Sequence, residues 1–157
     1  MTQVESKLEA LGLTLPTPPP PVANYVRCVT VGNLVYVSGH GPTRDGEYLF
    51  QGKVGVERTI EEGYQAAQLT MLNCLSSLKQ EIGDLDRVSR IVKLLGMVNC
   101  TEDFGHQPEV INGGSDLLVQ LYGERGKHAR SAVGMQSLPR GMTVEIEMIV
   151  ELEEGVG

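Results

Sequence analysis

Residues 59–100, TIEEGYQAAQLTMLNCLSSLKQEIGDLDRVSRIVKLLGMVNC, change their hydrophobic period once, and that change decides the fold. Thr59-Ile60-Glu61-Glu62 has the form of a capping box, in which the threonine oxygen accepts from the backbone three residues on and the glutamate reaches back. From there Ile60, Tyr64, Ala67, Met71, Leu75 and Leu78 recur at steps of three and four, and Gly83 supplies a stop, so the spacing predicts a helix. Val88 to Cys100 is instead β-branched and apolar on both alternations. It predicts a long central strand covered on both faces.

Upstream, YVRCVTV and LVYVSGH flank Gly32-Asn33, a dipeptide suited to a tight hairpin turn. Asp45-Gly46 marks a second turn, so a short strand around Glu47 to Phe50 is expected to extend the meander. Downstream, a second helix is expected from Gln107-Pro108, carrying Val110, Ile111, Leu117, Leu118 and Leu121. Gly113 and Gly114 each cost such a helix roughly 1 kcal/mol against alanine, so either it starts late or something approaches its backbone closely. ARSAVGMQ and TVEIEMIVELE then give two more strands. The order implies an α+β fold, a mixed β-sheet with two helices on one face. The uncovered face predicts self-association.

The first twenty-one residues differ from the rest. Val4, Leu8 and Leu11 could line a short helix, but Pro16 and Pro18 to Pro21 cannot continue it and favour an extended segment. Residues 1–21 therefore read as an arm laid on the surface or against a neighbour, and residues 22–157 as a single domain. No apolar run approaches the roughly eighteen residues of a membrane span, and MTQVESKLEALGL lacks a basic region followed by an apolar block, so a cytoplasmic protein without membrane association is expected. Cys28, Cys74 and Cys100 are widely spaced in apolar surroundings, which suits reduced core thiols better than disulfides or a metal site.

Charge narrows the partners. Thirteen basic residues are scattered among twenty acidic ones for a net charge of −7, and there is no basic cluster to hold a phosphate backbone. With five Tyr, two Phe and no Trp, stacking platforms for single strands are few as well. Nucleic acid is excluded as the main ligand.

One charged residue interrupts a strand that otherwise looks buried. In HARSAVGM, alternation puts Arg130, Ala132 and Gly134 on one face and Ser131, Val133 and Met135 on the other. Small neighbours leave room for the planar guanidinium to hold a carboxylate through two parallel hydrogen bonds. Pairing with an acidic neighbour, or snorkelling at the strand end, would explain an arginine here equally well.

HARSAVGMQSLPRGMTVEIEMI resembles the C-terminal signature of the Rid (YjgF) family of reactive-intermediate deaminases, with its Arg-Ser pair, Leu-Pro turn and Val-Glu-Ile-Glu strand. NYVRCVTVGNLVYVSGHGP and GDLDRVSRIVKLLGMVN are similar to further parts of that family, and the proline arm resembles a longer subgroup. The resemblance implies a chorismate-mutase-like fold, a homotrimer with an inner β-barrel, and ligand clefts between subunits. By the same resemblance Arg130 holds a substrate carboxylate and Glu145 positions water, while Tyr25, Ser38, Gly39 and Asn112 line the cleft. The implied reaction is hydrolysis of 2-aminoacrylate-like enamine and imine acids to 2-keto acids and ammonia, without metal or cofactor.

Two positions depart from the pattern. Ala132 stands where many members have cysteine, which leaves only a backbone contact there, and His40 stands where glutamine is common. A histidine lining the cleft could serve as acid or base, whereas a hydrogen-bonded structural histidine is the plainer role. Glu145 shares its alternation with Glu147, Glu151 and Glu153, so a solvated strand edge is its alternative. The alternative function is a non-catalytic trimeric module that binds a keto-acid-like anion through the same Arg130 pocket. Endoribonuclease activity conflicts with the acidic balance.

Overall fold

The computed structural model describes residues 2–18, 20–21 and 23–154; the boundary placed at Val22 and the tail at 155–157 lie outside them. Three α-helices, α1 (Gln3–Ala10), α2 (Ile60–Ile82) and α3 (Gln107–Tyr122), accompany seven strands: β1 (Cys28–Val31), β2 (Leu34–His40), β3 (Thr43–Arg44), β4 (Glu47–Tyr48), β5 (Val88–Asn99), β6 (Ala129–Met135) and β7 (Val144–Leu152). Five form one mixed sheet in the order β1-β2-β7-β5-β6, in which only β5 and β6 run parallel. None of the described helices is long and apolar enough to cross a membrane.

Local chemistry sets the elements as expected. Thr59 Oγ1 accepts from the Glu62 amide at 3.1 Å and Glu62 Oε1 from the Thr59 amide at 3.0 Å, closing the capping box that starts α2. Gly83 ends the helix at φ 86°. Gly32 takes φ 63° in the turn between β1 and β2, and Asp45 and Gly46 are both left-handed between β3 and β4. That second hairpin forms its own two-stranded ribbon rather than extending the main sheet.

The sheet is apolar toward the helices. Val35, Val37, Ile91, Leu94, Val98, Val144, Ile146, Met148 and Val150 are buried under α2 and α3. Among the described residues no helix covers the other face, so β5 is covered on one side within a chain; in the strand order β7 is the middle strand and β5 lies beside it. Val29, Tyr36 and Val133 are exposed there. A monomer rarely leaves a sheet face of this kind to water.

A third helix joins the layer. Val4 and Leu8 of α1 are buried in the core, while Leu11 lies beyond the helix end and is exposed. Asp86 accepts from the free backbone amides of Gln3 and Val4 at 2.8 and 3.0 Å, capping α1 from a distant part of the chain. The N-terminal region is thus packed into the domain.

The paired glycines of α3 have their close approach. A Cβ at Gly113 would lie 2.0 Å from the backbone oxygen of Tyr64 and 3.1 Å from Ala67 Cβ, so α2 and α3 touch backbone to backbone. Gly113→Ala would gain about 1 kcal/mol of helix propensity on an open helix, but overpacking costs about 1–3 kcal/mol and here the obstacle is a backbone that cannot rotate away. The expected outcome in urea unfolding is a net loss of about 2 kcal/mol. A stabilised variant would contradict the crossing.

Candidate functional site

Arg130 lies on the exposed edge strand, not in a core strand. Its register partner is Leu94, which puts Arg130, Ala132 and Gly134 on the helix-facing side, as alternation required. The guanidinium turns toward α3. Arg130 Nη1 donates to Asn112 Oδ1 at 2.7 Å and to Ser115 Oγ at 3.1 Å, and Nε and Nη2 have no partner among the described residues. One edge of the fork is fixed and the other is open, the arrangement a bidentate carboxylate needs.

Ser115 escaped sequence reasoning, whereas His128 stood out only by its place just before the Arg130 strand. Ser115 Oγ lies 2.9 Å from His128 Nε2, and His128 Nδ1 lies 2.6 Å from the Gly126 carbonyl. A carbonyl only accepts, so Nδ1 carries the proton and Nε2 accepts from the serine hydroxyl. The serine lone pairs then face Arg130. Burial pushes the His128 pKa down and the Arg130 charge lowers it further, against the opposing Gly126 contact, which keeps this order in place at neutral pH. Only a serine three residues after Asn112, on the same helix face, hinted at it.

The other predicted residues gather elsewhere. A cavity of about 770 Å³ beside β2 and β7 is lined by Tyr25, Gly39 and Glu145, together with Arg27, Gln51 and Arg140. Ser38, which lines a separate pocket with Tyr36, Lys93 and Glu147, donates its hydroxyl to the Val26 carbonyl at 2.7 Å. Glu145 pairs with Met97 across the ladder and projects from the uncovered face, half-buried. A Cβ at Gly39 would lie 2.6 Å from Glu145 Oε1, so only glycine lets the carboxylate rest there. Glu145 has no hydrogen-bond or ion-pair partner among the described residues, and burial, then the neighbouring Glu147 charge, push its pKa up. It is not part of a solvated strand edge.

His40 departs from the expectation. An extra residue on β2 between Val37 and His40 shifts the register, so His40 pairs with Ile146 and its ring enters the helix-facing core, 3% exposed. Nδ1 donates to the Ser38 carbonyl at 2.5 Å and Nε2 accepts from Ser77 Oγ at 2.7 Å. His40 is nonetheless among the residues that line the cavity. Both ring nitrogens are engaged within the protein, and the pKa falls to about 4 because burial disfavours the charge.

One chain therefore splits the predicted set. Arg130, Asn112 and Ala132 belong to the helix-facing side at the β6 edge; Tyr25, Gly39, His40 and Glu145 line the cavity beside β2 and β7, and Ser38 lines a separate pocket with Tyr36 and Glu147. Arg27 could have been noticed by the reasoning that singled out Arg130, since it too interrupts a β-rich run.

Residues 5–152 match the family described as "YjgF/chorismate_mutase-like, putative endoribonuclease". The chain is 42% identical over 151 residues to Protein TCP17 of Trypanosoma cruzi, covering 96% of this chain and 94% of that one. A solved structure of an Agrobacterium tumefaciens protein of unknown function superposes with a TM-score of 0.91 at 42% identity, covering 96% of this chain and 93% of that chain. A protein of Dermatophagoides farinae named 2-iminobutanoate/2-iminopropanoate deaminase is 26% identical over 141 residues, covering 90% and 95%.

The His40 environment sets a pH response. The native pKa near 4 lies below the unfolded value near 6.5, so the stabilisation from neutral His40 is complete above pH 6.5 and is lost as pH falls toward 4. Carboxylates titrate too, so the measurement is the difference in urea stability between wild type and His40→Asn. That difference is expected to shrink by about 3 kcal/mol from pH 7.5 to pH 4. An unchanged difference would mean the ring is solvated.

Proposed function

The chain belongs to the YjgF/Rid family, and from that premise we propose that it hydrolyses small enamine or imine carboxylic acids to 2-keto acids and ammonia, in a cleft shared by two copies of a homotrimer. The observation that carries this reading is Glu145, a half-buried carboxylate without a partner among the described residues, set on Gly39 in a cavity. An unpaired carboxylate at such a position costs stability, and proton transfer accounts for its retention. Its raised pKa brings it nearer the pH at which it can both take and return a proton.

The split of the predicted residues supports a shared cleft. Arg130 sits on an edge strand with an open fork, and Glu145 on an uncovered face; a second copy laid on that face brings one copy's arginine to the other's carboxylate. Arg130 then holds the substrate carboxylate through Nε and Nη2. Asn112 and Ser115 stop the fork from rotating. Glu145 takes a proton from water as the oxygen adds to the imine carbon and passes it to nitrogen, giving the carbinolamine; it then takes the hydroxyl proton and passes it to nitrogen as the C=O bond forms, the C–N bond breaks and ammonia leaves. An imine carbon is already electrophilic, so orientation and proton relay suffice.

Freshly generated 2-iminopropanoate, followed by ammonia release against the buffer rate, tests the chemistry. Arg130→Ala is expected to abolish acceleration, and Glu145→Gln to lower it about a hundredfold or more, with wild-type circular dichroism. Binding of the keto acid without acceleration by wild type would favour the binding module. Full activity of Arg130→Ala would overturn both.

Light scattering of the dilute protein tests assembly independently. A mass of three chains is expected, and a purely monomeric solution would contradict the shared cleft.

A further inference from the structure

The Glu145 cavity carries more positive charge than imine hydrolysis requires. Arg27 and Arg140 both line it, and Glu145 is the one carboxylate among its described lining residues. In a chain of net charge −7 this is a local inversion. Neither arginine takes part in an ion pair among the described residues. Arg27 Nη2 donates to the Pro20 carbonyl at 2.8 Å, while its Nε is buried with no partner. A buried guanidinium N–H without an acceptor is costly, so the geometry favours an acceptor that arrives with a ligand.

The arginines do not serve Glu145. Its carboxyl is pushed up by burial and by Glu147, and neither guanidinium holds it down. Nor does Arg140 rest there by default: its backbone is left-handed at φ 59° in the turn after Pro139, fixed by Gln51 Nε2 donating to the Arg140 carbonyl at 2.6 Å. The strained turn delivers a second cation to the rim.

We propose that Arg27, with Arg140 beside it, forms a second anion subsite, and that the substrate is the 2-imino acid of an acidic amino acid, carrying a side-chain carboxylate in addition to the one on Arg130. The inference rests on the proposed function for the Arg130 end of the substrate. The Arg27 end rests on the cavity alone. The reaction is otherwise unchanged: water adds at the imine carbon, ammonia leaves, and the second carboxylate takes no part in bond making.

Calorimetry with two stable product-like probes separates the two claims. 2-Oxoglutarate is expected to bind about tenfold or more tightly than 2-oxobutanoate, which one charge-assisted hydrogen bond supplies. Arg27→Gln is expected to remove most of that preference, the loss falling on 2-oxoglutarate. Arg27→Lys serves in its place should the glutamine variant fail to fold, and is expected to keep part of the preference through its charge. No preference in the wild type, or an intact preference in the variant, would overturn the subsite. Ammonia release from the imines of glutamate and 2-aminobutyrate is read alongside: acceleration of neither defeats the deaminase reading, while the probe ratio still decides the subsite.

Discussion

The backbone contact between α2 and α3 at Gly113 determines where almost everything else can be. Because no side chain stands between Gly113 and the Tyr64 carbonyl, the two helices lie close enough to share one sheet face. Asn112 precedes that contact and Ser115 follows it by two residues, so both are held in a helix whose rotation is already fixed. They are the groups that hold the Arg130 fork. A glycine chosen for packing thereby aims a guanidinium on another element, and a neutral His128 sets the hydrogen-bond direction in Ser115 behind it. The chain of causes runs from sequence to packing to electrostatics without a break.

The second constraint is the one-sided sheet. Helices cover the alternation that carries Ile146 and Leu94, and the opposite alternation carries Glu145, Glu147 and Ile149 beside Leu95 and Met97. Strand geometry permits no compromise, since successive side chains must leave by opposite faces. Arg130 and Glu145 therefore leave the sheet by opposite faces of one chain, which is what the proposed shared cleft answers. Assembly, in this reading, is a consequence of pleat geometry as much as of apolar area.

Much of this was legible because it followed from period. The switch from three-four spacing to alternation at residues 59–100 gave α2 and β5, and the Asn-bearing helix was visible despite Gly113 and Gly114. Alternation also put Arg130, Ala132 and Gly134 on one face. It failed where the period itself breaks. His40 sits just after an extra residue on β2, and one inserted residue sends a side chain to the other face. Coverage of β5 and its place in the strand order depend on partners remote in sequence, as does the capping of α1 by Asp86, so none of the three could be read locally.

The proline-rich segment shows how a stretch without regular structure can still shape the cavity. Proline has no amide hydrogen, so Pro16, Pro18, Pro20 and Pro21 cannot donate to a sheet, but their carbonyls can accept. Three side chains use that capacity along its length: Arg44 donates to the Thr14 carbonyl at 3.1 Å, Ser76 to the Pro16 carbonyl, and Arg27 to the Pro20 carbonyl at 2.8 Å. Leu13 and Leu15 pack against the core beside it. The carbonyls of Thr14, Pro16 and Pro20 are thus each tied to a side chain of the domain. By engaging Nη2 of Arg27, the Pro20 carbonyl orients the guanidinium beside the cavity and leaves Nε buried without an acceptor among the described residues.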